Sequence, residues 1–225
     1  MRDEQSKVQI VAGTTQPIFD FMKKDIERID STWGILDELK NSGQDVDIAA
    51  INVIIQASVF FGDIQRAVGT YKVIPDYGLS GTVDTYNLLL SACIGAAHRE
   101  LGNLILSDMK KAGIRADAGT YERLVLLCLT QDTYEDAFYY LEEMKRHKLL
   151  PTYGIYDAII RKCVSVGDTR FKLALDEMKQ VYQPSASLDR FMKQGGVFMA
   201  PLEDARSQPI DTPEQQIGSS LSSST

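Results

Sequence analysis

Ile51, Tyr86, Tyr121 and Tyr156 follow one another at intervals of thirty-five positions. No single motif constrains the chain as much, because a fixed spacing of this length means that one supersecondary unit is copied and laid beside itself. Other columns keep the same step: Cys93, Cys128 and Cys163; Ile54, Leu89, Leu124 and Ile159; Leu36, Tyr71, Leu106 and Leu141; Gly43, Gly78 and Gly113. Met109 and Met144 keep it too, while Met178 falls one residue short. A one-residue deletion between Gly167 and Met178 accounts for this, at a turn where length is tolerated.

Each unit reads as two helices. In Val83–Ile94, Tyr86, Leu89, Leu90 and Cys93 fall at i, i+3, i+4 and i+7, one stripe of an amphipathic helix. Leu101, Leu104, Ile105 and Met109 form a second stripe, closed by Lys110, Lys111 and Gly113. Cations in a last turn oppose the negative end of the helix dipole, and glycine accepts the left-handed cap. The next unit closes with Lys145 and Arg146 and stops at Pro151. The expected fold is all-α, a right-handed α-solenoid of stacked helix-turn-helix repeats of about 35 residues.

The stretches Val83-Asp84-Thr85-Tyr86-Asn87-Leu88-Leu89 and Met109-Lys110-Lys111-Ala112-Gly113-Ile114, with their counterparts at Thr120-Tyr121, Ile155-Tyr156 and Glu142-Glu143-Met144-Lys145, resemble the pentatricopeptide repeat family. Tetratricopeptide repeats have a period of about 34 with a Trp/Leu-Gly/Tyr pattern that this chain lacks. The resemblance implies repeats at 48–82, 83–117, 118–152 and 153–187, preceded by a degenerate capping repeat at 17–47 in which Ile26, Ile29, Trp33, Leu36 and Leu39 keep helical spacing. Residues 1–16 read as a flexible segment. Residues 188–225, with Gly195-Gly196, three prolines and a serine-rich end, read as a disordered tail.

Composition narrows the classes of function. The 24 basic against 31 acidic residues give a formal charge of −7. Within 47–187 the count is 15 against 17, so the repeat body is close to neutral. Nucleic-acid affinity rests largely on Lys and Arg displacing counterions, so any RNA-binding face must concentrate its cations locally. No apolar run approaches a membrane span, and none of the patterns for phosphate loops, metal clusters or nucleophilic triads occurs. The expected protein is not an enzyme, takes no cofactor, metal or small-molecule substrate, and has no membrane partner. The cysteine column, in successive stacked helices, lies too far apart for disulfides and reads as small buried hydrophobes. The first residues, Met1-Arg2-Asp3-Glu4, carry acids early and show no transit peptide. The resemblance implies a mitochondrial location, or a plastid.

The resemblance also implies that first helices line an inner face on which each repeat meets one base of single-stranded RNA. One reader follows the tyrosine column: Asn52, Asn87, Glu122 and Asp157. The other closes each unit: Thr82, Asp117, Thr152 and, blurred by the deletion, Ser187. Asn87 with Asp117 matches a pair used for uracil. The plainer alternative is that Asn87 is a solvated helix residue and Asp117 an N-cap. Arg123, Arg161 and Lys162 are the candidate basic contacts. Two positions before the tyrosine column, where the family has a branched apolar clamp, this chain has Ala49, Asp84, Gly119 and Gly154. That departure favours the competing reading, a scaffold for a protein partner in the groove. For Tyr139 and Tyr140 the expectation is core packing between second helices.

Overall fold

The structure is a computed structural model that describes residues 26–199. The expected flexible segment 1–16 lies outside these, as do the start of the capping repeat and residues 200–225. The described residues are all-α: ten α-helices and one 3-10 helix. They form two compact units that divide between Thr152 and Tyr153.

The first unit holds α1 (26–41), α2 (Ile48–Phe60), α3 (Ile64–Val73) with a 3-10 extension (Ile74–Tyr77), α4 (Val83–Gly95), α5 (Arg99–Lys111), α6 (Ala118–Leu129) and α7 (Glu135–Arg146). The helices pair as α2 with α3, α4 with α5 and α6 with α7, and α2, α4 and α6 stack side by side. This is the stacked-pair, solenoid class that the period predicts. The columns form its core: Ile51, Tyr86 and Tyr121 are buried, as are Ile54, Leu89 and Leu124. The second unit holds α8 (Tyr153–Val166), α9 (Phe171–Lys179) and α10 (Ala186–Met199), with α9 and α10 both packed on α8. Its core includes Ile155, Tyr156, Ile159, Cys163, Met178 and Leu188.

The start of the expected tail is corrected here. Residues 188–199 belong to α10, because the Ser185 hydroxyl caps its first turn, accepting from Leu188 N at 3.2 Å, and Leu188 is fully buried. The polar composition after Gln194 concealed this one anchored turn. Tyr139 also differs from expectation. Tyr140 packs against the core, but Tyr139 is 53% exposed and meets Tyr140 only edge-on, with centroids 5.4 Å apart. Helical spacing places two adjacent residues about 100° apart, so only one of them can face inward. All three cysteines are free and buried, and burial pushes the thiols of Cys93 and Cys128 up to about 11.

Left-handed turns recur at the repeat step. Gly43, Gly78 and Gly113 close second helices with φ of 74°, 69° and 71°, and the same place in the third pair is taken by Lys148 at φ 60°. Leu149 N still bonds Met144 O at 3.1 Å, as Ile114 N bonds Met109 O. Between α4 and α5, Ala97 adopts φ 49° where Gly62 serves the α2–α3 turn and Gly167 the α8–α9 turn. A Cβ in this region costs roughly 1–2 kcal/mol, which the greater chain entropy of glycine partly offsets. Ala97→Gly and Lys148→Gly should therefore each stabilise the first unit by about 0.5–1 kcal/mol in urea unfolding. No gain at either position would mean that the turns are not under strain.

Candidate functional site

The inner face is built where first helices meet. Thr82 caps α4 and Asp117 caps α6, each within a reciprocal capping box closed by the residue three positions on, Thr85 or Thr120. Thr82 and Asp117 were expected to close their units as readers, so they sit at helix starts because the caps require Ser, Thr, Asp or Asn there. The Thr85 hydroxyl then reaches back to α2, the first helix of the preceding pair, donating to Asn52 Oδ1 at 2.8 Å. Thr120 makes the same link to Asn87 Oδ1 at 2.8 Å.

Asn87 meets Asp117 directly: its Nδ2 donates to Asp117 Oδ1 at 3.2 Å. It is not a solvated residue, being 7% exposed. The second half of the plainer alternative does hold, since Asp117 is an N-cap, and it serves as a partner for Asn87 as well. The Thr120 hydroxyl lies 2.8 Å from both Asn87 Oδ1 and Asp117 Oδ1, so its one proton is shared between them. Burial pushes the Asp117 carboxyl up, but the hydroxyl and backbone N–H of Thr120, the Asn87 amide and the charge of Arg123 outweigh it. The result is a carboxyl held below its ordinary value and ionised at neutral pH. One N–H of Asn87 and one oxygen of Asp117 remain to offer a guest.

The other expected pairs meet in different ways. Thr152 donates its hydroxyl to Glu122 Oε1 at 3.2 Å. Asn52 and Thr82 are linked through Thr85 and not to each other. Asp157 and Ser187 are bridged by Arg161, which donates Nε to Asp157 Oδ2 at 2.7 Å and Nη2 to Ser187 Oγ at 3.2 Å. Ser187 does not close a unit: Ser185 is the cap of α10, and Ser187 stands two places later, as Gly119 does after Asp117.

Of the three candidate cations, Arg161 is neutralised by Asp157 and lies over the Phe191 ring, 5.0 Å from its centroid. Lys162 is half-buried on α8. Arg123 crosses from α6 to α4, donating Nε to Ser91 Oγ at 2.8 Å and Nη1 to Gly119 O at 2.9 Å. Reading columns missed Thr85, Thr120 and Ser91. The capping-box spacing Thr82-x-x-Thr85 and Asp117-x-x-Thr120 was the available signal for the first two; Ser91 left none.

A separate cleft of about 470 Å³ lies between α1 and α3, lined among others by Trp33, Lys40 and Tyr77. Tyr77 donates to Asp37 Oδ1 at 2.6 Å beneath Lys40, and burial with this carboxylate pushes its phenol up to about 12. Among the described residues no group of His, Cys, Asp and Glu is placed to hold a metal, and no helix is long and apolar enough to cross a membrane.

Two family models match the chain, one described as pentatricopeptide repeat-containing protein over residues 1–74 and one as pentatricopeptide repeat domain over residues 104–166. Together they span more than half of it. The chain belongs to the pentatricopeptide repeat family. Among solved structures this pentatricopeptide repeat chain is similar to PPR10 from maize, with a TM-score of 0.62 and 22% identity over 79% of this chain and 27% of that one. The same maize protein in complex with an 18-nt psaJ RNA element matches with a TM-score of 0.61 and 21% identity over 82% of this chain and 27% of that one. The pentatricopeptide repeat domain of Arabidopsis thaliana protein-only RNase P 1, in complex with tRNA, matches at 0.60 and 12% identity over 76% of this chain and 91% of that one. At these identities the likeness is one of fold. The chain spans 27% of the length of the maize protein. A comparison with curated proteins finds no match.

Proposed function

We propose that this chain is a non-enzymatic binding module for single-stranded RNA, acting in organellar, most simply mitochondrial, RNA processing, stability or translation. The repeats 48–82, 83–117, 118–152 and 153–187 serve as its units. Asn87 joined to Asp117 carries the reading. A buried amide held by an ionised carboxylate is a fixed donor beside a fixed acceptor, and the Watson–Crick edge of uracil offers the complementary carbonyls and N–H. Glu122 with Thr152, Asn52 near Thr82, and Asp157 held by Arg161 are further points of contact with weaker base preference. Relatives of like fold in complex with RNA support the ligand class. The neutral repeat body supports modest affinity, strongest at low salt.

Titration of the chain with short single-stranded RNA pools across a salt range tests this. Weak, salt-sensitive binding with preference for uridine is expected, and Asn87→Ala should lower affinity for the uridine-containing pool about 5- to 10-fold while flattening base preference. Absence of binding at low salt would reject RNA as ligand. The second reading, a protein-binding scaffold, is favoured by Asp84, which stands exposed in the clamp column and would repel a phosphate.

A further inference from the structure

The geometry points to Arg123 as a base-stacking residue at the Asn87 site, its guanidinium standing in the space that a side chain at position 119 would fill. This rests on the RNA reading above and assigns a role that the paired amide and carboxylate cannot perform, since they meet a base only at its edge.

Three observations carry it. A Cβ built on Gly119 would lie 3.0 Å from Arg123 Nη1, 3.4 Å from Asp117 Oδ1 and 3.5 Å from Asn87 Nδ2. Position 119 therefore opens directly onto the reading pair, and the guanidinium occupies its mouth. Secondly, the guanidinium is pinned at two corners, by Ser91 Oγ and by Gly119 O, so its plane is held in place before any ligand arrives. Pinning removes much of the rotamer entropy that an arginine otherwise loses on binding. Thirdly, no carboxylate pairs with it directly: among the described residues Nη2 has no hydrogen-bond partner and no carboxylate stands within ion-pair distance, Asp117 being felt only through space. Arg161 in the second unit contrasts, being closed by Asp157, Ser187 and the Phe191 ring.

A planar, fixed cation with no direct ion pair, beside an edge-reading pair, is suited to lie against the face of the base whose edge the pair meets. Position 123 has Val53, Leu88 and Ala158 as its counterparts at the repeat step, so this device belongs to one seam and not to the repeat in general.

The test uses the full chain and a short labelled oligouridine at low salt, with thermal melting as a folding control. Arg123→Ala should weaken binding about 10-fold. Arg123→Lys, which keeps the charge and the stem, should recover less than half of that loss on a logarithmic scale, because an ammonium has no plane. Gly119→Val combined with Arg123→Ala should restore binding to within about 3-fold of the parent, the branched side chain now supplying the face contact. Full activity of Arg123→Lys would reassign the residue to a phosphate, and an unchanged Arg123→Ala, or a double variant no better than Arg123→Ala, would also overturn stacking while leaving the RNA reading intact. Failure of the parent chain to bind oligouridine would overturn both.

Discussion

Leu89→Ala is expected to destabilise the first unit by about 2–5 kcal/mol, the range for deleting a buried aliphatic side chain and leaving a cavity. Leu89 is 1% exposed and lies on α4, which packs against α2, α3, α5 and α6, so no solvent-facing element can collapse into the void. In a stacked array each pair is held by its neighbours, and a loss at α4 weakens the contacts on both sides of it. Chemical denaturation followed by circular dichroism reads this as a lower midpoint. A shift below about 1 kcal/mol would mean that the stack around α4 is loosely packed.

Gly102→Ala is the second large effect, and its cause is the reverse: too much volume. Gly102 is buried on α5, and a Cβ there would meet Leu127 Cδ2 at 2.2 Å, a distance that no real pair of carbons tolerates. Leu127 is itself 2% exposed, which leaves its side chain little room to turn away. Overpacking of this kind costs about 1–3 kcal/mol, and Gly102→Val should cost more. The two sites should couple. In a double-mutant cycle, Gly102→Ala with Leu127→Ala should cost less than the sum of the single changes by at least about 0.5 kcal/mol. Simple additivity would show that α5 moves aside to admit the methyl group.

The period carried the fold because its columns are the buried faces of first and second helices, and burial is what the hydrophobic pattern encodes. It also reached the caps in part: Thr82 reads only as a unit end and reader, whereas Asp117 reads either as a reader or as the N-cap that the structure makes it. It could not reach the bonds that cross a seam. Thr85 to Asn52, Thr120 to Asn87 and Arg123 to Ser91 join residues 32 or 33 positions apart, a spacing set by how neighbouring helices lie together and not by either helix alone. The surroundings of the charged residues were out of reach for a related reason. Arg123 and Arg161 are both first-helix arginines, at different places in the repeat, yet Asp157 one turn before Arg161 closes that cation, while Gly119 one turn before Arg123 offers only a carbonyl. The helix after Pro184 was hidden because its polar, glycine-containing run is held by one serine cap and one buried leucine.

The single proton of the Thr120 hydroxyl gives this arrangement a property that neither helix has by itself. The same hydroxyl holds the Asn87 amide of α4 and the Asp117 carboxylate that opens α6, so one side chain sets the two groups relative to each other. Removal of that hydroxyl would loosen both sides of the seam at once.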